Sequence, residues 1–298
     1  MANILSISSS VCTSYVGNSA TNFVYQRLGH EVWPINTIAL PHHPGHGVIA
    51  DTAQLITPPD VLSAALEALE AHNWLSGADA VVVGYMANAE QSQRVADWLH
   101  RLRRIAPDII VMVDPIMGDC GALYVDRSVA EAARDLLLPL ADIGKPNAFE
   151  LGWMTGKTID SQTTALKVAQ SLGLPETVVT STPSHDSSVA NLVLTADEAF
   201  VTQTRQLGPV PKGTGDLFGA LYLSARLNDL APAQALEQAT ARIFGVLSAA
   251  TDEDRRELSL VQGQDHLSTL EVPYPARSVA VPSSEIAPSA DAAATQTS

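Results

Sequence analysis

Short apolar runs alternate along the chain with stretches whose apolar residues recur at helical spacing. Asn3–Ile7 is such a run and ends in Ser8-Ser9-Ser10, which predicts a buried first strand feeding a polar loop. Tyr15-Val16-Gly17-Asn18-Ser19 leads into a predicted helix that runs through Leu28 and stops at Gly29, a C-cap glycine. Glu31–Thr37 reads as the second strand. Leu40–Gly47, LPHHPGHG, is a loop, because its prolines and glycines exclude regular structure. A Pro-Pro-Asp start opens a helix over Val61–His72, and Ala80–Val83 is a fully apolar strand. Ala89–Ile105 carries Val95, Leu99 and Leu102 on one helical face. Ile109–Val113 is another buried strand and runs into Asp114-Pro115-Ile116-Met117-Gly118. Helix Val129–Leu137, a short strand near Asp142–Gly144, helix Thr163–Leu172 and strand Thr177–Ser181 continue the alternation. Ser188–Thr195 and Ala199–Thr204 predict a hairpin at a sheet edge. Two helices follow, Asp216–Leu227 and Pro232–Ala250.

Strand–helix alternation predicts an α/β fold with a mostly parallel central sheet and helices on both faces. Residues 1–267 form one domain in this reading. From about residue 268 the composition turns to Pro, Ser, Ala and Thr without an apolar period, so 268–298 is expected to be a flexible tail. Ligands of such sheets bind outside the carboxyl ends of the strands. Ser9, Tyr85, Asp114, Asn147 and Thr180 all fall at or just past such ends, although they are far apart in sequence.

Charge narrows the partners. Lys+Arg 17 against Asp+Glu 32 gives a formal net charge of −15, which disfavours nucleic acid and anionic membranes. A polyphosphate would need metal ions, backbone amides and a few lysines. The two cysteines, Cys12 and Cys120, suit a reducing compartment, and MANILSISSS carries no export signal, so a cytoplasmic location is expected.

The chemistry converges on Gly213-Thr214-Gly215-Asp216, where a loop turns into an apolar helix. Backbone N–H groups at a helix start favour an anion, and glycines let the backbone approach it. Asp216 there is placed to take a proton from an attacking hydroxyl, or else simply to cap the helix. Asp114, at a strand end, suits the water shell of Mg²⁺ or the capping of a turn. Thr180 and Ser181 offer hydroxyls to phosphate, and Lys212 precedes the glycines. His42, His43 and His46 lack a fourth ligand nearby, so their loop reads as a mobile flap rather than a zinc site. No G-x-x-x-x-G-K-[ST] loop and no first-turn G-x-G-x-x-G occurs, which argues against a Walker-type nucleotidase and a dinucleotide-binding protein.

Taken in order, these motifs resemble one family. Ser9, Tyr15–Ser19, Val32-Trp33-Pro34-Ile35-Asn36-Thr37, Gly84-Tyr85-Met86, Asp114–Gly118, Lys145-Pro146-Asn147-Ala148-Phe149-Glu150-Leu151, Leu194-Thr195-Ala196-Asp197-Glu198 and Gly213–Asp216 together resemble the pyridoxal kinases of the ribokinase-like superfamily. The resemblance covers about residues 3–265 and implies a three-layer ribokinase-like sandwich. It implies ATP-dependent phosphorylation of the hydroxymethyl group of pyridoxal and related B6 vitamers, giving pyridoxal phosphate in salvage. Asp216 would be the base, with Gly213, Thr214 and Gly215 around the transferring phosphoryl. Ser9, Tyr85, His43, Pro44, Gly45 and Asp216 would meet the vitamer. Asp114, Tyr124, Lys145, Asn147, Glu150, Thr180, Ser181, Pro211, Lys212, Gly213 and Gly215 would meet ATP, with Asp114 and Glu150 serving Mg²⁺ largely through water and phosphate. A monovalent cation such as K⁺ and a homodimer are further implications. The chain departs from the family at Ser10, where a histidine is common, at His43-Pro44-Gly45, and in a short Gly118–Tyr124 loop. A hydroxymethylpyrimidine or other small-alcohol kinase, or a non-catalytic pyridoxal-phosphate binder, remain the alternatives.

Overall fold

The structure is a computed structural model that describes residues 1–47, 54–184, 187–208, 210–249, 257–269 and 271–281. Its elements in order are β1 (Asn3–Val11), α1 (Asn18–Arg27), β2 (Glu31–Leu40), β3 (Leu55–Ile56), α2 (Pro59–Ala71), β4 (Ala80–Val83), α3 (Ala89–Ile105) and β5 (Ile110–Val113). There follow β6 (Gly118–Asp119), β7 (Ala122–Leu123), α4 (Arg127–Ala132), β8 (Ile143–Gly144), α5 (Ala148–Thr155), α6 (Gln162–Gln170), β9 (Glu176–Pro183), β10 (Ser188–Thr195) and β11 (Ala199–Arg205). The last are α7 (Thr214–Arg226), α8 (Pro232–Ser248) and β12 (Arg277–Val279). Ten strands make one sheet in the order β12-β11-β10-β9-β8-β5-β4-β1-β2-β3. From β2 to β9 every neighbouring pair is parallel, while β3, β10, β11 and β12 join antiparallel.

The apolar runs are continuous because both faces of the sheet are covered. Successive side chains of a strand point to opposite faces. Ile4, Val82 and Met112 therefore pack with Leu221, Tyr222 and Leu236 of α7 and α8. Leu5, Val81 and Val111 pack on the other side with Leu66 of α2 and Leu99 of α3. Farther along the sheet, Val179 and Leu192 meet Leu166 of α6. The result is the expected three-layer sandwich.

Several boundaries differ from the sequence reading. β1 continues to Val11, so Ser9 lies inside the strand rather than past its end, at a register shift against β2 between Ser8 and Ser10. That bulge re-aims the serine backbone. The expected hairpin, β10 and β11, is not at the margin, since β12 pairs beyond it. Residues 277–279 belong to the stretch expected to be flexible, and pairing with β11 gives them a strand conformation. Of the expected tail, residue 270 and residues 282–298 lie outside the described residues.

The C-terminal half of α7 is fixed to the sheet by a buried polar triad. Tyr222 Oη donates to Glu176 Oε1 at 2.7 Å, and Arg226 Nη2 meets Glu176 Oε2 at 3.1 Å. His30 Nε2 lies 2.6 Å from Ser224 Oγ on the same helix. These contacts hold the helix against β9 and α1, so its N-terminus is presented at the carboxyl ends of the central strands.

Candidate active site

Gly213 is the N-cap of α7 and has φ 86°, a left-handed conformation that suits glycine. A Cβ there would run into the Tyr15 carbonyl. No side chain caps this helix start; the Thr214 hydroxyl turns back to donate to the Pro211 carbonyl at 2.6 Å. The Thr214 and Gly215 amides of α7 are thus left to an incoming anion, with the partial positive charge of a helix N-terminus behind them, while the Asp216 amide turns to its own carboxylate.

Asp216, half-buried in the first turn of α7, accepts a hydrogen bond from the Gly17 backbone N–H. Gly17 has φ 52°, and a Cβ on it would overlap Ser9, so only glycine brings that N–H to the carboxylate. Burial first, and then the neighbouring Asp114, push Asp216 up to about 6, against the pull of Gly17 and Lys145. A base titrating close to neutrality is suited to proton abstraction. A cavity of about 20 Å³ lies behind it, lined in part by Ser6, Ser8, Thr21, Tyr25 and Asp114. Its volume matches one water, and the hydroxyls of Thr21 and Tyr25 have no partner among the described residues.

Across the cleft stands the acidic group. Asp114 ends β5 and is 7% exposed; burial raises it, opposed by Lys145. Glu150 closes a capping box at the start of α5. Its Oε2 accepts from Asn147 N at 2.8 Å, Asn147 Oδ1 accepts from Glu150 N at 2.8 Å, and Met117 N donates to Glu150 Oε1 at 3.1 Å. Burial and Asp114 push Glu150 up to about 8 despite those donors. Capping and site chemistry therefore coexist at Asn147 and Glu150. Two buried carboxylates that resist ionisation together form a donor set that a hard divalent cation would stabilise, so the residues fit Mg²⁺. Among the described residues no cluster of three or more His, Cys, Asp or Glu forms a metal cage, which leaves phosphate and water to complete the shell.

Thr180 and Ser181 lie within β9, which is longer than expected. Thr180 N donates to Pro146 O at 3.1 Å, bringing β9 beside Asn147, and Ser181 has φ 56°. Tyr124 follows the small β6–β7 hairpin and is 57% exposed at the rim. Enclosure of its hydroxyl end and the carboxylates of Glu150, Asp114 and Asp216 raise its phenol above the usual range. Pro211 and the exposed Lys212 precede the glycine turn, and Lys212 pairs with Glu257 through an isolated backbone bridge. Lys145, expected to meet ATP, is 2% exposed and its Nζ meets Asp114 Oδ2 at 2.9 Å.

On the other side of Asp216 lie the vitamer candidates. Tyr85 is part-buried after β4; its backbone N donates to Ser8 Oγ at 3.1 Å and its carbonyl accepts from Thr37 Oγ1 at 2.7 Å. Burial raises the Tyr85 phenol. The His43–Gly47 loop forms a short turn in which His43 Nδ1 accepts from Gly45 N at 2.9 Å. Burial lowers the His43 imidazole.

Three contributors had no assigned role in the sequence reading. Gly17 and Asn18 were visible only as part of a motif. Asn18 accepts from Ser6 Oγ at 2.8 Å and donates to Ile35 O at 3.1 Å and Asn36 Oδ1 at 2.8 Å, joining β1 to β2 beneath the site. Glu257 had no local signal. It accepts from Ser14 Oγ at 2.7 Å and pairs with His46, so the flap is tied to the chain next to Lys212.

The chain is similar to known proteins in sequence and in fold. The sequence pattern of the phosphomethylpyrimidine kinase family matches residues 50–257. A pyridoxal kinase PdxY of Rubrobacter xylanophilus is 34% identical over 286 residues, spanning 93% of this chain and 98% of the relative. That of Granulibacter bethesdensis is 33% identical over 280 residues, 90% of this chain and 96% of its own. Among solved structures, the pyridoxal kinase of Leishmania donovani in complex with ADP and pyridoxamine superposes with a TM-score of 0.86 at 25% identity, covering 94% of this chain and all 100% of that one.

Proposed function

The chain belongs to the pyridoxal kinase family of the ribokinase-like superfamily, and on that premise we propose how its own residues carry out the ATP-dependent phosphorylation of the hydroxymethyl group of B6 vitamers. The observation that carries the reading is Asp216, a carboxylate pushed up to about 6 in the first turn of a helix whose first two amides no side chain caps.

Asp216 takes the proton of the substrate hydroxymethyl group as its oxygen attacks the γ-phosphorus in line. The new O–P bond forms while the bond to the β,γ-bridging oxygen breaks, and ADP leaves with that electron pair. The N–H groups of the Gly213–Gly215 turn hold the equatorial oxygens of the transferring group, a role that needs no rearrangement because Gly213 is already left-handed. Asp114 and Glu150 are the carboxylates that would hold the water shell of a Mg²⁺ bound with ATP, which would supply neutralisation of the phosphate charge. Thr180, Ser181, Asn147 and Tyr124 border the nucleotide side, with Pro211 and Lys212 beside the turn. Ser9, Tyr85 and the His43-Pro44-Gly45 flap border the ring. The flap's tie through His46 to Glu257 supports closure over the ring.

The test is turnover of a panel of pyridoxal, pyridoxine, pyridoxamine, hydroxymethylpyrimidine and ribose with Mg·ATP. A B6 alcohol should exceed ribose in kcat/KM by more than about tenfold, since a pocket with placed polar groups rejects a mismatched ligand at least that strongly. Preference for ribose, or no turnover at all, refutes the reading. The match to the phosphomethylpyrimidine kinase pattern favours the pyrimidine alcohol as a second substrate, which the same panel reads. The family reading also carries a cytoplasmic location and a homodimer; sedimentation of the purified protein tests the homodimer. No helix of the described residues is long and apolar enough to cross a membrane.

A further inference from the structure

The resemblance attaches a monovalent cation to this chemistry, and the site's own charges bear on whether one is needed. Asp114 and Glu150 are buried and Asp216 is partly buried beside them, so the cleft gathers three carboxyl groups before any nucleotide arrives. Buried charge of this kind requires a partner. The chain supplies it. Lys145 follows β8, its side chain is 3% exposed, and its Nζ lies 2.9 Å from Asp114 Oδ2. Its ammonium also acts on Glu150 and Asp216.

The lysine is built in rather than merely adjacent. Its stem crosses α7 where Gly215 and Gly219 stand one turn apart. A Cβ on Gly219 would come within 3.0 Å of Lys145 Cε, and one on Gly215 within 3.7 Å of Nζ. A side chain at Gly219 would press on the lysine stem, whereas one at Gly215 would only touch the amine, so the helix that carries Asp216 is cut at Gly219 to accept it. Both Glu150 oxygens meanwhile accept backbone N–H groups, which turns that carboxylate toward the α5 start.

We propose that Lys145 is a resident counter-cation of the phosphotransfer site, so that this chain works without an added monovalent cation. The proposal deepens the kinase reading and rests on it. A solution cation occupies a site in proportion to its concentration and must shed water to enter; a tethered ammonium is present in every folded molecule. Lys145 acts through Asp114 and Asp216 and is a positioning residue, not one that touches substrate.

The test compares choline chloride with potassium chloride at equal ionic strength. Calorimetry reads binding of a non-hydrolysable ATP analogue with Mg²⁺, and turnover is followed with pyridoxal. The wild type should show the same Kd and kcat in both salts within about twofold. Lys145→Met should lose about tenfold or more in choline, because an unpaired buried carboxylate cluster is costly, and should recover in part with K⁺. A lysine that only supports the fold predicts a variant weakened equally in both salts, and that result overturns the proposal. So does activation of the wild type by K⁺, or a variant equal to wild type in choline. If Lys145→Met does not fold, the wild-type comparison decides alone. Absence of turnover with normal nucleotide binding refutes the B6 reading but leaves the binding comparison valid for the lysine.

Discussion

Replacing Asp216 with asparagine should remove catalysis and stabilise the protein in the same step. Burial and Asp114 raise this carboxyl from 3.8 to about 6, so the folded state prefers its neutral form. For a raised carboxyl the cost to folding is absent below the unfolded pKa, grows between 3.8 and about 6, and is complete above that range. Two units correspond to about 3 kcal/mol, an upper bound because Asp216 is only half-buried. Asparagine carries no charge, and its Oδ1 can still accept the Gly17 N–H. We therefore expect Asp216→Asn to melt several degrees above wild type at pH 8, at about 2 °C or more per kcal/mol for a chain of this size. The difference should shrink as the pH falls and vanish below about pH 4. Loss of the base should lower kcat by about two to four decades. In the wild type, kcat/KM should rise with pH through an apparent pKa near 6, since only the ionised form accepts the proton. Scanning calorimetry from pH 4 to 8 beside steady-state kinetics measures both. A variant that melts at or below wild type at pH 8, or that turns over normally, would refute the reasoning.

Gly213→Ala forces a side chain into the Tyr15 carbonyl at a left-handed φ, and the turn should lose its anion-binding shape. We expect kcat to fall by about 100-fold or more, as for loss of a preorganised oxyanion donor, measured beside circular dichroism to confirm folding. Glu257→Gln weakens the tie to His46 while keeping an acceptor for Ser14, so KM for the alcohol should rise about threefold or more with nucleotide Kd unchanged. Arg226→Met leaves Glu176 buried against Tyr222 without its cation. Urea denaturation should show a loss of about 3 kcal/mol, with the KM values little changed.

Strands covered on both faces leave continuous apolar runs, which is why Ala80–Val83 and Ile110–Val113 were legible together with the layered architecture. Anything that depends on a few residues finding a distant partner was not. Arg277–Val279 carries no strand signal of its own and becomes a strand only because β11 offers an unpaired edge. Ser9 reads as a loop residue because Ser8-Ser9-Ser10 is polar, yet Asn18 donates to the Ser8 carbonyl and Ser19 Oγ lies 3.5 Å from Ser10 Oγ, which gives both flanking serines partners inside β1. The glycine turn and Asp216 were visible as a motif, whereas the Gly17 N–H that meets Asp216 comes from a different loop. His46 and Glu257 lie 211 residues apart, so nothing local announces their pairing. Lys145 was legible as part of a family motif, but the room for its stem depends on Gly219 on another helix.

The ten-stranded sheet begins and ends in very short strands, two residues in β3 and three in β12. A long free edge is a template for another chain, because its N–H and C=O groups point outward unpaired. Here the segment Arg277–Val279 covers part of the seven-residue β11, and Arg277 and Ser278 face solvent with nothing apolar to attract a neighbour. Shortening the chain before Arg277 would uncover that edge and turn a soluble margin into an aggregation-prone one. The closing strand thus works as a guard on its own edge of the fold, remote from the chemistry.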